Sequence, residues 1–479
     1  MSTTPSVRVR FAPAPTGMMH LGNVRTALMN YLVARQKQGT FILRIEDTDA
    51  ERNFDPGAVK LQEDLAWLSV TFDEGPVKGG PYAPYYQSER GSIYQENLQK
   101  IIDAKRVYRC FCTSEELEKK RQRQIALKQP PRYDRTCYKL SETESLEKAK
   151  TVPFIWRMYV DHTKSFTIND LAHGNIVFEM KNFSDFPLTR QDGSVTFIFA
   201  NFIDDALMKV SCAIRGEDHL SNTASQAVLY DAFGFDIPQF WHMPILCNID
   251  GKKLSKRDFG FSLRDLKESG FLPEAILNYL AIIGASFKEE IMSVDELIKT
   301  MNFDTMSATG QIKYDVEKLR WVNHKWISKL SLPELEKLCR PFLEPNYTQV
   351  KDFSSELVQS LLKPIASEMV TLHDALELLN FYFNTPECHT EILHGLITET
   401  HLPFFQSTLA NIVTSSDMTI ALDSYKKDGK IAGVSPKQLF SVLRYILTGR
   451  TDGISIVDLI TLLDKTVINE RIKKALQLL

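Results

Sequence analysis

The chain has 479 residues, 43% hydrophobic and 24% charged, with 57 Lys and Arg against 60 Asp and Glu for a net charge of −3. That length exceeds one compact core, so three or more domains or subdomains are expected, and the near-balanced charge excludes a uniformly basic nucleic-acid-coating protein while leaving room for a local basic face. No apolar run reaches the roughly 18 residues of a membrane helix, the first residues lack the apolar core of a signal peptide, and seven cysteines are too few and odd for a secreted disulfide framework, so a cytoplasmic protein with no membrane partner is expected.

Val7, Val9 and Phe11 alternate as in a strand. Pro13, Pro15 and Gly17 mark a loop. Val24, Ala27, Leu28, Tyr31 and Leu32 repeat at helical spacing until Gly39 stops the pattern, and residues 41–45 read as a second strand. This βαβ opening predicts an α/β protein with a parallel sheet covered by helices. Glu46 then falls at the carboxyl end of the second strand, where such sheets bind ligands. Residues 94–190 read as an insertion, with a charged helix over 115–128 between cysteine-bearing turns and β-rich stretches after it. Strand-and-helix alternation returns over 191–250, with strands expected at 195–199 and 208–214. From about 262 the pattern is largely helical, with amphipathic stretches at 357–362 and 375–383.

Two distant segments carry chemistry. In Arg10-Phe-Ala-Pro-Ala-Pro-Thr-Gly-Met-Met-His20-Leu-Gly-Asn23 a Pro- and Gly-shaped loop leads into a helix whose first N–H groups and positive dipole end suit a phosphate. His20 there can donate to a phosphoryl oxygen. The second, Lys252-Lys-Leu-Ser-Lys-Arg257, follows an Asp250-Gly251 turn. Read by itself it is a solvated basic loop; paired with the first it is a device for neutralising a triphosphate. Neither the Walker A string nor GxGxxG occurs.

The first segment resembles the HIGH signature of class I aminoacyl-tRNA synthetases, and Lys253-Leu-Ser-Lys-Arg257 resembles their KMSKS signature. More specifically, RFAPxPTGxxHLGN, FILRIEDTD, IRGEDHLSNTxxQ, KLRWxN and the terminal LTGRTDG are similar to bacterial-type glutamyl-tRNA synthetase, and the likeness runs through nearly the whole chain. It implies a Rossmann-like catalytic domain in two halves (1–93 and 191–250), split by an acceptor-binding subdomain (94–190). A KMSKS-bearing stem-contact subdomain (251–330) and a helical anticodon-binding domain (331–479) would follow. The implied reaction joins glutamate to ATP as glutamyl-adenylate, then passes the glutamyl group to the terminal ribose of tRNA(Glu). ATP would arrive with Mg2+ held mainly through its phosphates, and a monomer is expected.

The same resemblance assigns residues. His20, Lys253 and Lys256 would be catalytic, His20 at the phosphates and the lysines stabilising the transition state. Pro13, Thr16, Gly17, Gly22, Asn23, Asp218, His219, Leu254, Ser255 and Arg257 would complete the ATP site. Arg10 and Arg215 would take the two carboxylates of glutamate, Arg10 the side-chain one, because an Arg fork matches carboxylate geometry. Glu46 would bind the ammonium group, with Ala12, Phe197 and Asn201 lining the pocket; the alternative for Arg10 and Glu46 is a buried ion pair between adjacent strands. Ala14 stands where the family usually has serine and Phe197 where it usually has tyrosine. Each lost hydroxyl removes a hydrogen bond worth about 0.5–1.5 kcal/mol.

Cys110, Cys112 and Cys137 have metal-like spacing. The resemblance supports zinc, with Tyr133 as fourth ligand because Lys139 replaces the histidine of one family pattern; the alternative is three reduced cysteines packed in a small subdomain. Glutaminyl-tRNA synthetase is the nearest competing enzyme, but two arginines favour a carboxylate over an amide. A truncated tRNA-modifying relative would lack the long helical region, and a catalytically dead paralogue would not need His20, Lys253 and Lys256.

Overall fold

A computed structural model describes residues 6–48, 54–255, 257–285, 287–303 and 311–479. The chain forms two compact units. One runs as far as Leu266 and takes in Ile276–Val316; the other joins Lys267–Ala275 to Glu317–Leu479.

The first unit opens with β1 (Arg8–Phe11), α1 (Leu21–Gln36) and β2 (Thr40–Leu43). The strands pair in parallel, Arg8 opposite Thr40 through Phe11 opposite Leu43. Consecutive buried residues on both, rather than alternation, mark a sheet covered on both faces. Gly39 makes the return after α1 feasible, because a Cβ there would collide with the Val7 carbonyl. Next come α2 (Val59–Trp67), α3 (Gly91–Asp103), β3 (Val107–Cys110), α4 (Ser114–Ala126) and α5 (Glu142–Ala149). Helix α4 begins with a Thr113–Glu116 capping box and buries none of its residues, so its charged surface is solvated. Strands β4 (Ile155–Met158), β5 (Ser165–Asp170), β6 (Gly174–Glu179) and β7 (Phe186–Pro187) follow. β3, β4 and β7 make one antiparallel sheet, while the β5–β6 hairpin joins a four-stranded sheet.

The remaining elements that build the site are α6 (Phe197–Leu207), β8 (Cys212–Gly216), α7 (Leu220–Phe233), β9 (Gln239–Met243) and β10 (Leu246–Cys247); β10 later pairs in parallel with β11 (Ile312–Lys313). The four-stranded sheet has the order β6-β5-β9-β8. Residues just before β8 lie against β1, where the Ser211 N–H donates to the Arg8 carbonyl at 3.0 Å.

Two expected strands differ. Residues 195–199 do not form a strand: Val195 makes an isolated bridge to Thr189, and Phe197 already starts α6. An apolar run of that length does not distinguish a buried strand from a buried helix, and here Phe199, Ala200, Phe202 and Ile203 all bury in one core. The strand expected over 208–214 starts only at Cys212, because the chain turns through Lys209 at φ 56°.

The second unit is helical among its described residues, with long helices at Leu332–Asn346, Leu402–Thr414, Met418–Ile431, Pro436–Thr448 and Lys465–Leu476. Leu335, Leu343, Leu409, Ile446 and Ile472 are buried within it. The stretch 375–383 is two short helices, Asp374–Leu378 and Asn380–Phe383. The Tyr347 phenol donates at 2.8 Å to the Leu376 carbonyl, the acceptor a continuous helix would offer to Asn380. Among the described residues no helix is long and apolar enough to cross a membrane.

Candidate active site

The two chemical segments meet. His20 bridges to Ser262, its ring stacks on Phe261 at 5.3 Å, and His20 and Lys253 line one cavity. Arg10, Glu46 and Arg215 line it too, at or just beyond the carboxyl ends of β1, β2 and β8. Pro13, Gly22, Asn23, Asp218 and His219 line the same cavity, as do Ala12, Phe197 and Asn201.

His20 is the N-cap of α1. Its Nδ1 accepts the Asn23 backbone N–H at 3.2 Å. A neutral imidazole has one donor and one acceptor nitrogen, so this bond places the proton on Nε2 and makes that nitrogen a donor. Burial, helped by the charge of Lys253, lowers the His20 pKa to about 4. Gly22 matters locally, since a Cβ there would stand 3.0 Å from the imidazole. His20 is therefore neutral throughout the physiological range. Between about 4 and 6.5 the unfolded chain holds more protons at this residue than the folded one, so its contribution to stability falls as pH falls through that window. Activation is expected to show no His20 titration between about pH 6 and 8; a step near 6.5 in a pH–rate profile that disappears in His20→Asn would contradict this.

Lys253 pairs with Asp218 at 3.0 Å. Burial acts to raise the Asp218 pKa, but its hydrogen bond to Lys253 and the nearby positive charges hold it below the ordinary value. Several other expected ATP residues do not line the cavity. Thr16 and Gly17 form the turn before α1, with the Thr16 N–H on the Ala14 carbonyl and Gly17 at φ 87°. Leu254 is buried, and the Ser255 hydroxyl and backbone N–H both bind Asp258, with Arg257 in the same turn. Lys256 lies outside the described residues.

The polar floor is a network that motif reading missed. Arg44 is fully buried and bonds Asp205 at 2.7 Å and Glu46 at 3.0 Å, with Asp204 at 3.6 Å. Arg10 bonds Asp205 through Nε and the Ile214 carbonyl through Nη1. Arg10 and Glu46 are thus not paired with each other; each is held by a third group. Asn201 donates to Glu46 and accepts from Gln226, both at 2.7 Å. Burial raises the Glu46 pKa against the opposing pull of Arg44 and Asn201. The available signal was Asp204-Asp205 inside an otherwise apolar run, since buried carboxylates require cationic partners.

Arg215 differs from these arginines. It is buried and bonds Thr223 and Gln226 at 2.7 Å each and the His242 Nε2 at 3.2 Å, all neutral acceptors. Among the described residues no carboxylate pairs with it, and burial lowers its pKa to about 10. His242 is itself fixed: its Nδ1 lies 2.5 Å from Asp170 at the end of β5. That contact leaves Nε2 to accept from the Arg215 Nε.

Cys110, Cys112 and Cys137 come together, their sulfurs all within 4.8 Å of one another. Tyr133 Oη lies 3.4 Å from Cys110 Sγ and 3.7 Å from Cys112 Sγ. Cys212, Cys247 and Cys339 are buried singly in the fold.

Residues 6–321 match the family model of tRNA synthetases class I (E and Q), catalytic domain, and residues 334–476 match an anticodon binding domain. The chain is 39% identical to the glutamate--tRNA ligase of Sulfurihydrogenibium sp. (strain YO3AOP1), over 98% of each chain. It is 36% identical to that of Bacillus subtilis (strain 168), over 98% of this chain and 99% of the relative. Among solved structures, a glutamate tRNA ligase from Elizabethkingia meningosepticum CCUG26117, crystallised in complex with its amino acid, superposes with a TM-score of 0.87 at 31% identity, covering 98% of this chain and 99% of that one.

Proposed function

The chain belongs to the glutamyl-tRNA synthetase family of class I aminoacyl-tRNA synthetases, and on that footing we propose how its cavity carries out the family's reaction. The chain is a glutamate–tRNA ligase: it activates L-glutamate with ATP and passes the glutamyl group to the tRNA 3′ end. The family uses ATP with Mg2+.

Arg10 and Arg215 hold the two carboxylates of glutamate, Arg10 the side-chain one. The observation that carries this is Arg215, a buried cation without a carboxylate among the described residues. With Arg10 on the side chain, the α-carboxylate of the bound amino acid supplies Arg215's missing counter-charge, and it is at Arg10 that the neutral amide of glutamine lacks the charge a glutamate side chain brings. Glu46, steadied by Arg44 and Asn201, receives the ammonium group, which also favours its ionised form. The attacking α-carboxylate is already ionised at neutral pH, so the activation step needs no protein base. Catalysis is positioning and charge stabilisation: the His20 Nε2–H donates to a phosphoryl oxygen, and Lys253 neutralises the departing pyrophosphate. Lys256 takes the same part by its place in the KMSKS-like segment. ATP–pyrophosphate exchange, run with tRNA present, tests the scheme: glutamate supports exchange and glutamine does not. Charging of purified tRNA(Glu) and tRNA(Gln) then reads the tRNA range. Absence of glutamate-dependent exchange would sink the assignment.

For the cysteine cluster the reading is a structural zinc site with Cys110, Cys112, Cys137 and Tyr133 as ligands. A tetrahedral zinc with Zn–S near 2.3 Å sets its sulfurs about 3.8 Å apart, and Cys112 and Cys137 Sγ stand at 3.7 Å. The ion would clamp the end of β3 to the turn at 137, a subdomain whose own apolar cluster is small. Protein purified without chelators is expected to carry about one zinc per chain, and Cys137→Ser to lose it. Metal analysis finding none ends the idea.

A further inference from the structure

A third guanidinium lines the cavity beside Arg10 and Arg215 and has no part in holding glutamate. Arg25 sits on α1, five residues after His20, and is 3% exposed. A guanidinium has five N–H donors. Among the described residues Arg25 spends one, from Nη1 to the Pro244 carbonyl at 3.2 Å, while its Nε is buried with no partner. No ion pair to it occurs among those residues, and burial lowers its pKa to about 10. Buried polar groups are nearly always hydrogen-bonded, and leaving a charged donor unmet is costly. A structural arginine would bury against a carboxylate or several carbonyls, as Arg90 does with Asp204, Tyr82 and Pro84. Arg25 is built to be completed by something that enters the cavity.

Its surroundings identify the chemistry. At about 1.5 Å per residue, Arg25 lies roughly 7.5 Å along α1 from His20, away from the helix terminus that suits phosphate. The wall beside it is Pro244 and Ile245, the apolar link from β9 to β10, with Leu246 at the start of β10. An apolar wall with hydrogen-bond donors at its edge fits a nucleobase rather than a triphosphate. We propose that Arg25 reads the base of ATP, its guanidinium donating to a ring-nitrogen acceptor of adenine packed on Pro244–Leu246. This rests on the reading that the cavity binds ATP, and adds a specificity residue to it.

The test compares wild type with Arg25→Met and Arg25→Lys in ATP–pyrophosphate exchange, using ATP and its 1-deaza, 3-deaza and 7-deaza analogues. Arg25→Met is expected to raise the KM for ATP about tenfold or more, the size of a lost charged hydrogen bond, with the KM for glutamate within about twofold of wild type. The analogue lacking the contacted nitrogen is expected to bind wild type weakly and to lose little more in the variant. Arg25→Lys is expected to lie between, and gives the same readout if Arg25→Met does not fold. An unchanged KM for ATP overturns the proposal. So does an Arg25→Met penalty that is the same for ATP and all three analogues, which would put the contact on phosphate or ribose. Wild type inactive with glutamate and ATP would instead defeat the underlying ATP reading.

Discussion

Arg215→Met is expected to lower kcat/KM for glutamate by two to three orders of magnitude while leaving the free protein about as stable as wild type. Truncating one partner of a buried charge pair costs about 3–5 kcal/mol, and each 1.4 kcal/mol is about tenfold. On the proposed reading the pair in question forms only with substrate, because in the free protein Arg215 meets neutral acceptors. Its removal therefore takes away a desolvated cation rather than a salt bridge. The hydrogen bonds lost with it, about 1.5–3 kcal/mol each because the donor is charged, are offset by the desolvation cost of the bare cation. Part is recovered locally, since Thr223 Oγ1 is already 3.0 Å from His242 Nε2. Melting curves with and without glutamate check both halves: glutamate stabilises wild type and not the variant. Glutamate activity within tenfold of wild type would remove Arg215 from the pocket's function.

Asp205→Ala is expected to act in the opposite way, destabilising the first unit by about 3–5 kcal/mol. Asp205 is buried and accepts from both Arg10 and Arg44. Without it, among the described residues Arg10 keeps one hydrogen-bond partner, the Ile214 carbonyl, and Arg44 leans on Glu46 and Asp204. Two buried guanidiniums then share too little negative charge. Asp205→Asn keeps the shape and loses only the charge, so its loss is expected to be smaller. Burial raises the Asp205 pKa, but Arg10 and Arg44 outweigh it and hold it below the ordinary value. Its stabilisation is thus present above the usual Asp range and is lost as pH falls below it. Urea titration at neutral pH, following the earliest transition, reads the difference; an Asp205→Ala midpoint equal to wild type would contradict the network's role.

What was legible in the sequence has a common character. His20, Lys253, Arg10, Glu46 and Arg215 were marked by local strings whose residue types coincide just after a strand or a Gly turn. All five line one cavity. The opening β1–α1–β2 followed from periodicity, because alternation and 3.6-residue spacing are properties of the chain itself. Elements whose apolar residues bury on every side were not legible in that way. Residues 195–199 offered no period to read, and packing in the core made residues 197–199 the start of a helix.

By itself the sequence singled out the candidate groups for the chemistry, since a helix start suited to phosphate, a lysine-rich turn and two arginines are set by residue type and local spacing. It also determined the family, through long ordered motifs. Only the tertiary structure decided how those groups are charged and aimed. Arg10, Arg25, Arg44 and Arg215 are alike as letters. Folding gives Asp205 to Arg10 and Arg44, and leaves Arg215 and Arg25 in the cavity without a carboxylate among the described residues. Electrostatic energy depends on distance and on the exclusion of water. Those are set by residues roughly 160–200 positions away in the chain, beyond the reach of any local pattern.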